Sequence, residues 1–294
     1  MRSIFEPHRV DAGDVTIAAE IGGSGPPLLL LHGYPQTRRL WRHVAPSLTD
    51  AFTVVMTDLR GYGESDAPVG PDDGSAYSKR AMSDDQLAVM RHFGFTRFAV
   101  AGHDRGARVV HRMCHDAPDR VVAAAVLDIV PTLRLFEGTD QDFARAYYHW
   151  FFLSQPPPLP ERLIGGAPRD FLTMTLDRWS GPDFAYDAET LDHYVSAFDE
   201  DTVRASCDDY RAAAGIDLEH DAADRDRRIG CPLLVMWGTF GAMHRLYDVA
   251  ATWTDCADDV TARPLPCGHF LPEEEPAATA DALLSFFDRE DLWR

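Results

Sequence analysis

The chain has 294 residues, enough for one large α/β domain or a domain with an insertion, and carries a formal charge of −19 from 28 basic and 47 acidic side chains. That balance argues against a nucleic-acid partner and an anionic membrane surface, and it repels anionic ligands at long range, so an anionic substrate needs local arginines. Five scattered cysteines (Cys114, Cys207, Cys231, Cys256, Cys267) without C-x-x-C, an N-terminus from Met1 to His8 without an apolar signal segment, no run of membrane-spanning length and twelve histidines without metal-ligand spacing read as a reduced, cytoplasmic, metal-free protein.

In chain order, Asp14 to Glu20 alternates apolar and polar residues and predicts an edge strand. Pro26 to Leu31 is apolar throughout, as a strand buried on both faces must be, and runs into the tight turn His32-Gly33-Tyr34-Pro35-Gln36. Trp41 to Leu48 reads as a helix and Phe52 to Thr57 as a third strand, followed by the glycine loop Asp58 to Ser65 and a Pro/Gly-rich connector from Asp66 to Ser75. Lys79 to Phe93 has helical spacing through Met82, Leu87 and Met90. Phe98 to Ala101 is a short buried strand, and a helix begins near Ala107. Val121 to Leu127 is another buried strand and ends at Asp128. Strand patterns then stop from Pro131 to about Gly230, a stretch rich in aromatic and acidic residues at helical spacing, with a proline-rich loop from Gln155 to Pro160. They resume at Cys231 to Trp237 and, more weakly, at Val260 to Leu265, before Cys267-Gly268-His269-Phe270 and an amphipathic helix from Pro276 to Phe287. Strands alternating with helices predict an α/β fold with a mostly parallel, doubly wound sheet. The helical stretch predicts a cap over its C-terminal edge, dividing the chain into core 1–133, cap 134–229 and core 230–294.

The strand and helix around residue 104 are joined by Gly102-His103-Asp104-Arg105-Gly106. This is the G-x-S-x-G nucleophile elbow with aspartate at the serine position, a turn too tight for side chains on its flanks. The substitution changes the chemistry. A carboxylate attacks an sp³ carbon and leaves an alkyl ester, which water must then open at the carboxylate's own carbon. Substrates are thereby restricted to those with a carbon-bound leaving group, such as a halide or an epoxide. Asp104, Asp128 and His269 follow the α/β-hydrolase order of nucleophile, acid and histidine, and each follows a predicted buried strand. His269 is the expected general base and Asp128 its orienting partner; the stretch after Trp237 offers no competing carboxylate. The amides of Arg105 and Tyr34 are the expected oxyanion donors.

Taken together, the elbow from His103 to Val109, the turn from His32 to Thr37, the segment Leu127 to Thr132, the trio Tyr148-His149-Trp150, the run Asp208 to Arg211 and the segment Gly268 to Glu274 resemble the fluoroacetate (haloacetate) dehalogenase family of the α/β-hydrolase superfamily, over essentially the whole chain. The resemblance implies an α/β-hydrolase fold with an inserted helical cap, a homodimer, and cofactor-free hydrolysis of haloacetate to glycolate and halide. It implies that Arg105 and Arg108 bind the substrate carboxylate, a role suited to a guanidinium fork. It further implies that His149, Trp150 and Tyr210 cradle the halide with N–H and O–H donors, and that Trp179 lines the pocket. Without it, the aromatic run from Tyr147 to Phe152 would read as core packing. The turn carries Tyr34 where the family more usually has phenylalanine.

Two other classes compete. An epoxide hydrolase shares the fold and the aspartyl ester but needs two cap tyrosines, for which Tyr210 and one of Tyr147, Tyr148, Tyr186 or Tyr194 are candidates. Two arginines beside the nucleophile would be wasted on a neutral epoxide, and a haloalkane dehalogenase normally has tryptophan where Arg105 stands. A ligand-binding protein without activity would be expected to lose a member of the triad, and all three are present.

Overall fold

In the computed structural model, residues 4–71 and 73–293 are described; Met1–Ser3, at the head of the N-terminal segment read above, lie outside them, as do Asp72 within the connector and Arg294. The strands are β1 (Glu6–Asp11), β2 (Thr16–Gly23), β3 (Pro27–Leu31), β4 (Thr53–Thr57), β5 (Phe98–His103), β6 (Val121–Leu127), β7 (Leu233–Gly238) and β8 (Val260–Leu265). They form one eight-stranded sheet in the order β1-β2-β4-β3-β5-β6-β7-β8. β1 pairs antiparallel with β2 and β2 antiparallel with β4; every other pairing is parallel.

The helices before β6 are α1 (Ala45–Leu48), α2 (Lys79–His92) and α3 (Arg105–Asp116). Between β6 and β7 lies a helical insertion: α4 (Thr132–Glu137), α5 (Gln141–Ala146), α6 (Tyr148–Leu153), α7 (Leu159–Gly165), α8 (Pro168–Trp179), α9 (Ala188–Ala197), α10 (Glu200–Ala213) and α11 (Ile216–Ala223). The chain closes with α12 (Ala242–Leu246), α13 (Val249–Thr254), α14 (Leu271–Glu274) and α15 (Pro276–Phe287).

The continuous apolar strands follow from this layering. Alternate residues of β3, β4 and β5 enter two separate cores. Leu29, Leu31, Val55 and Val100 pack with Met82, Val89 and Val109 of α2 and α3, and with Trp150 and Leu172 of the insertion. Leu28, Leu30, Val54 and Ala101 pack on the other face with Trp41, Leu48, Leu283 and Phe287. Each fully buried leucine contributes about 1.5–3 kcal/mol relative to exposure, so a one-residue slip of β3 would be strongly opposed.

Three sequence expectations need correction. The strand predicted from Asp14 to Glu20 is not at the edge: β1 covers it, and β1 was hidden because only Val10 of its six residues is buried. The strand before His269 is not buried, since β8 is itself an edge and is exposed from Thr261 to Pro264. The helix expected from Trp41 to Leu48 is instead a 3-10 turn, Arg38–Trp41, followed by the short α1. Pro46 lacks the N–H that a continuous helix would need there, and its ring would clash with the preceding turn.

Candidate active site

β5 delivers Asp104 to the C-terminal edge of the sheet at φ 46° and ψ −112°, outside the regions that a non-glycine residue occupies at rest. Such a conformation costs about 1–3 kcal/mol and persists only where the surroundings enforce it. Here two glycines do so. A Cβ on Gly102 would stand 2.5 Å from the carbonyl carbon of Gly106, and one on Gly33 would stand 2.5 Å from Cβ of Asp104. Asp104 is 3 % exposed and sits at the N-terminus of α3, whose dipole favours its negative charge. Its Oδ1 accepts the Tyr34 N–H at 2.9 Å. The Arg105 N–H, first of α3, belongs to the group of amides that a helix leaves without internal acceptors. Burial opposes ionisation of Asp104, but His269, His103, Arg105 and Arg108 outweigh it and hold the carboxyl below its ordinary value.

Asp128, at the end of the adjacent strand β6, and His269, on the loop after the edge strand β8, close on Asp104. His269 Nδ1 lies 2.5 Å from Asp128 Oδ2, and Asp128 Oδ1 accepts the Gly238 N–H at 3.1 Å. Asp128 too has a positive φ, 54°. His269 Nε2 lies 3.9 Å from Asp104 Oδ2, beyond hydrogen-bond length, and has no hydrogen-bond partner among the described residues. It is therefore free to take a proton from a water directed at that carboxylate. Burial disfavours a charged imidazole, yet the hydrogen bond and charge of Asp128, with the charge of Asp104, raise His269 above its ordinary pKa.

Sequence reasoning missed the groups that fix this loop. Glu274 accepts the Gly268 N–H at 2.7 Å and the Phe270 N–H at 2.8 Å, on either side of His269. The His269 N–H donates to the Trp179 carbonyl, and the His269 carbonyl accepts from His103 Nε2, both at 2.8 Å. His103 is depressed to about 3 by burial and by His269, so it serves as a neutral donor.

Above Asp104 the insertion supplies rings. Tyr210 lies 5.3 Å from Trp150, 5.6 Å from His149 and 5.4 Å from Tyr34, centroid to centroid. Trp179 lies 4.5 Å from His149 and 5.4 Å from His269. The guanidinium of Arg105 sits 4.2 Å from the Tyr210 ring, and that of Arg108 4.5 Å from the Trp150 ring. All ten residues expected at the site are thus linked by these contacts. Burial pushes His149 down to about 3, so its ring is neutral.

The polar atoms of this group share one property. His149 Nδ1, Trp150 Nε1, Tyr210 Oη, Arg105 Nη1 and Arg108 Nε are buried without an acceptor among the described residues. Arg108 donates only to the Val130 carbonyl and Thr132 Oγ1 and forms no ion pair among the described residues; burial, then Arg105, push it down to about 10. A buried cation without a partnered anion is costly, and so are buried donors without acceptors. An anion in contact with them relieves both. A cavity of about 170 Å³ opens beside His269, lined in part by Tyr147, Trp179 and Arg245. Larger clefts elsewhere, such as one of about 870 Å³ between α7 and α10, hold none of these groups.

Of the tyrosines weighed for epoxide chemistry, two are committed elsewhere. Tyr194 donates to Glu273 at 2.8 Å, and Tyr186 accepts from Gln36 at 3.3 Å. Tyr148 is 40 % exposed, and Tyr147 stacks on Phe143 at 5.3 Å.

A family model of the α/β-hydrolase fold matches residues 26–276. The chain is 47 % identical over 285 residues to a fluoroacetate dehalogenase of a Burkholderia species, covering 96 % of this chain and 93 % of that one. It is 33 % identical over 272 residues to a soluble epoxide hydrolase of a Corynebacterium species, covering 90 % and 91 %. A crystal structure of an α/β hydrolase from Nostoc superposes with a TM-score of 0.94 at 50 % identity, covering 96 % of this chain and 97 % of that one.

Proposed function

The chain belongs to the α/β-hydrolase family and, within it, to that of the fluoroacetate dehalogenases, and from this premise we propose the course of its reaction and the residues that carry it. The enzyme hydrolyses haloacetates to glycolate and halide. The observation that carries the residue assignments is the pair of buried guanidinium groups beside Asp104, each with a nitrogen that has no acceptor among the described residues, close to ring donors in the same condition.

Arg105 and Arg108 bind the substrate carboxylate, and that grip aims the α-carbon at Asp104. Asp104 Oδ2 attacks this carbon as the carbon–halogen bond breaks. The halide departs with the bonding pair toward His149, Trp150 and Tyr210, and an aspartyl ester remains. His269 then takes a proton from water, and the hydroxide adds to Cγ of Asp104. The charge gathering on Oδ1 meets the Tyr34 amide, already at 2.9 Å, and the first amide of α3. Collapse restores the carboxylate and releases glycolate, whose oxygen takes the proton back from His269. Asp128 holds His269 in the tautomer this requires.

Residues 134–229 act as the cap that shuts this chemistry away from water. Fluoride is the most demanding leaving group, because its small size concentrates the charge that the donors must meet, and defluorination is the reading of the three-donor cradle. We further read the enzyme as a cytoplasmic homodimer acting on a small haloacid; no helix of the described residues is long and apolar enough to cross a membrane.

The test is halide release from fluoroacetate and chloroacetate, followed by ion-selective electrode, with styrene oxide alongside. Fluoride release is the expected result. Chloride release alone would keep the carboxylate clamp and reject the cradle. Diol formation without halide would overturn the reading in favour of an epoxide hydrolase.

A further inference from the structure

Arg105 does not meet the site as an isolated cation. Its Nε donates to Asp209 Oδ2 at 2.9 Å, and its Nη2 to Oδ1 at 2.5 Å and to the Asp209 carbonyl at 3.0 Å. The same carboxylate accepts the Tyr62 hydroxyl at 2.8 Å and the Lys79 ammonium. Lys79 is tied in turn to Asp217, which accepts its amide at 2.8 Å and stands 3.7 Å from its ammonium. The side chains of Lys79, Arg105, Asp209 and Asp217 are all at most 4 % exposed.

Two consequences follow from this arrangement. The first is geometric. A fork-to-fork pair fixes the plane of the guanidinium. With the Nε–Nη2 edge taken by Asp209, and the rings of Tyr210 and Trp150 at 4.2 and 5.1 Å, Nη1 is the guanidinium nitrogen left without an acceptor among the described residues. The second is electrostatic. A lone Arg–Asp pair is neutral and a weak anion binder. Here the charges alternate, Asp217, Lys79, Asp209, Arg105; the four also sum to zero, but the row ends on a cation beside Asp104. Lys79 draws on the carboxylate that would otherwise answer only to Arg105.

The geometry points to Asp209 as a positioning residue that presents Arg105 Nη1 to the substrate carboxylate, with Lys79 as the cation that holds Asp209 in place. Asp209 lies on α10 of the insertion, whereas Arg105, Lys79 and Tyr62 belong to the core. Its neighbour Tyr210 brings the unpartnered hydroxyl. Seating one turn of α10 therefore orients the carboxylate clamp and delivers a halide donor together. This inference rests on the haloacetate reading above.

It is tested with Asp209→Asn and Lys79→Met, following chloride release from chloroacetate and inhibition by glycolate, which has the carboxylate without the halogen, and by bromide, which has the reverse. In Asp209→Asn, KM for chloroacetate and Ki for glycolate should both rise about ten- to a hundredfold, with kcat and the bromide Ki nearly unmoved. Lys79→Met should raise the same two constants by a smaller factor. The double variant removes one buried charge of each sign, guards against a folding defect, and should still bind glycolate poorly. Folded variants with unaltered KM and glycolate Ki would overturn the inference. So would a fall in kcat with glycolate and bromide affected alike, which marks a merely structural role. If the unmodified enzyme released no halide, the functional reading itself would fall.

Discussion

On the sheet side of the site, the hydrogen bonds that hold the triad in place are already made. Asp104 Oδ1 has the Tyr34 amide, Asp128 has both His269 and the Gly238 amide, and Glu274 holds the backbone on either side of His269. On the insertion side, His149 Nδ1, Trp150 Nε1 and Tyr210 Oη are buried with no acceptor among the described residues. The contrast matches two kinds of work. Covalent attack and proton transfer need groups held in place beforehand, so their hydrogen bonds are made in the resting protein. Charge that appears only as the halide leaves is best met by donors with nothing else to bind. A buried donor without a partner costs about 1–3 kcal/mol, and recovering that cost as the bond breaks favours the transition state over the ground state.

Removing one group from each side should separate the two. The largest effect belongs to Asp104→Asn, since a neutral amide is a poor nucleophile: halide release should fall by about ten-thousandfold or more, and turnover above a hundredth of the unmodified rate would sink the covalent scheme. His269→Asn should stop the cycle one step later, with one halide per site and an ester on Asp104 visible by mass spectrometry. An intact Asp104 after incubation with chloroacetate would contradict that order. The unmodified enzyme carries a related signature in its pH dependence. Burial opposes protonation of His269, but Asp128 and then Asp104 raise its pKa, and the base works only when neutral. Activity should therefore rise with pH through the raised value. Esterification removes the charge of Asp104, so the acid limb of ester hydrolysis should lie below the His269 titration in the free enzyme, as read by NMR.

On the insertion side, Trp150→Phe keeps an aromatic surface for Arg108 and deletes one donor. Loss of a hydrogen bond to a developing charge predicts a drop of about ten- to a hundredfold in kcat for fluoroacetate. The drop should be smaller for bromoacetate, whose leaving group is diffuse. Equal losses for both halides would mean that Trp150 supports packing and not the departing ion.

The two sides also differed in how far the sequence exposed them. The elbow was readable because Gly102 and Gly106 must lack side chains where strand and helix touch, a local demand that leaves a local pattern. β3 to β6 were readable because strands buried on both faces are apolar throughout. β1 was not, because its residues Glu6 to Asp11 are mostly exposed and only pairing with β2 makes them a strand. Asp209 was not readable either. In the acidic helix sequence Ser206-Cys207-Asp208-Asp209-Tyr210 it looks like one more solvated carboxylate, and its partners Lys79 and Arg105 lie 130 and 104 residues away. The donors of α6 were legible only through resemblance, since their spacing alone is that of a packed core.

Tyr34 belongs to both sides, and the smallest predicted effect tests how it is divided. Its amide holds Asp104 from the sheet side. Its ring packs among Trp179, Phe198 and Tyr210 at 6.2, 6.2 and 5.4 Å, and its hydroxyl is buried without a hydrogen-bond partner among the described residues. Burial raises its pKa far above the ordinary tyrosine value, so the group remains a phenol. Tyr34→Phe keeps the amide and the ring and removes only the unsatisfied oxygen. If that oxygen merely carries a desolvation cost of about 1 kcal/mol, Tm should rise by about 2–4 °C with chloroacetate turnover little changed. If fluoroacetate turnover falls instead while Tm holds, the phenol contributes to the reaction in the same way as Trp150 and Tyr210. The insertion-side logic, in which an unmade hydrogen bond waits for the ion, would then extend to a residue whose backbone is part of the sheet-side machinery.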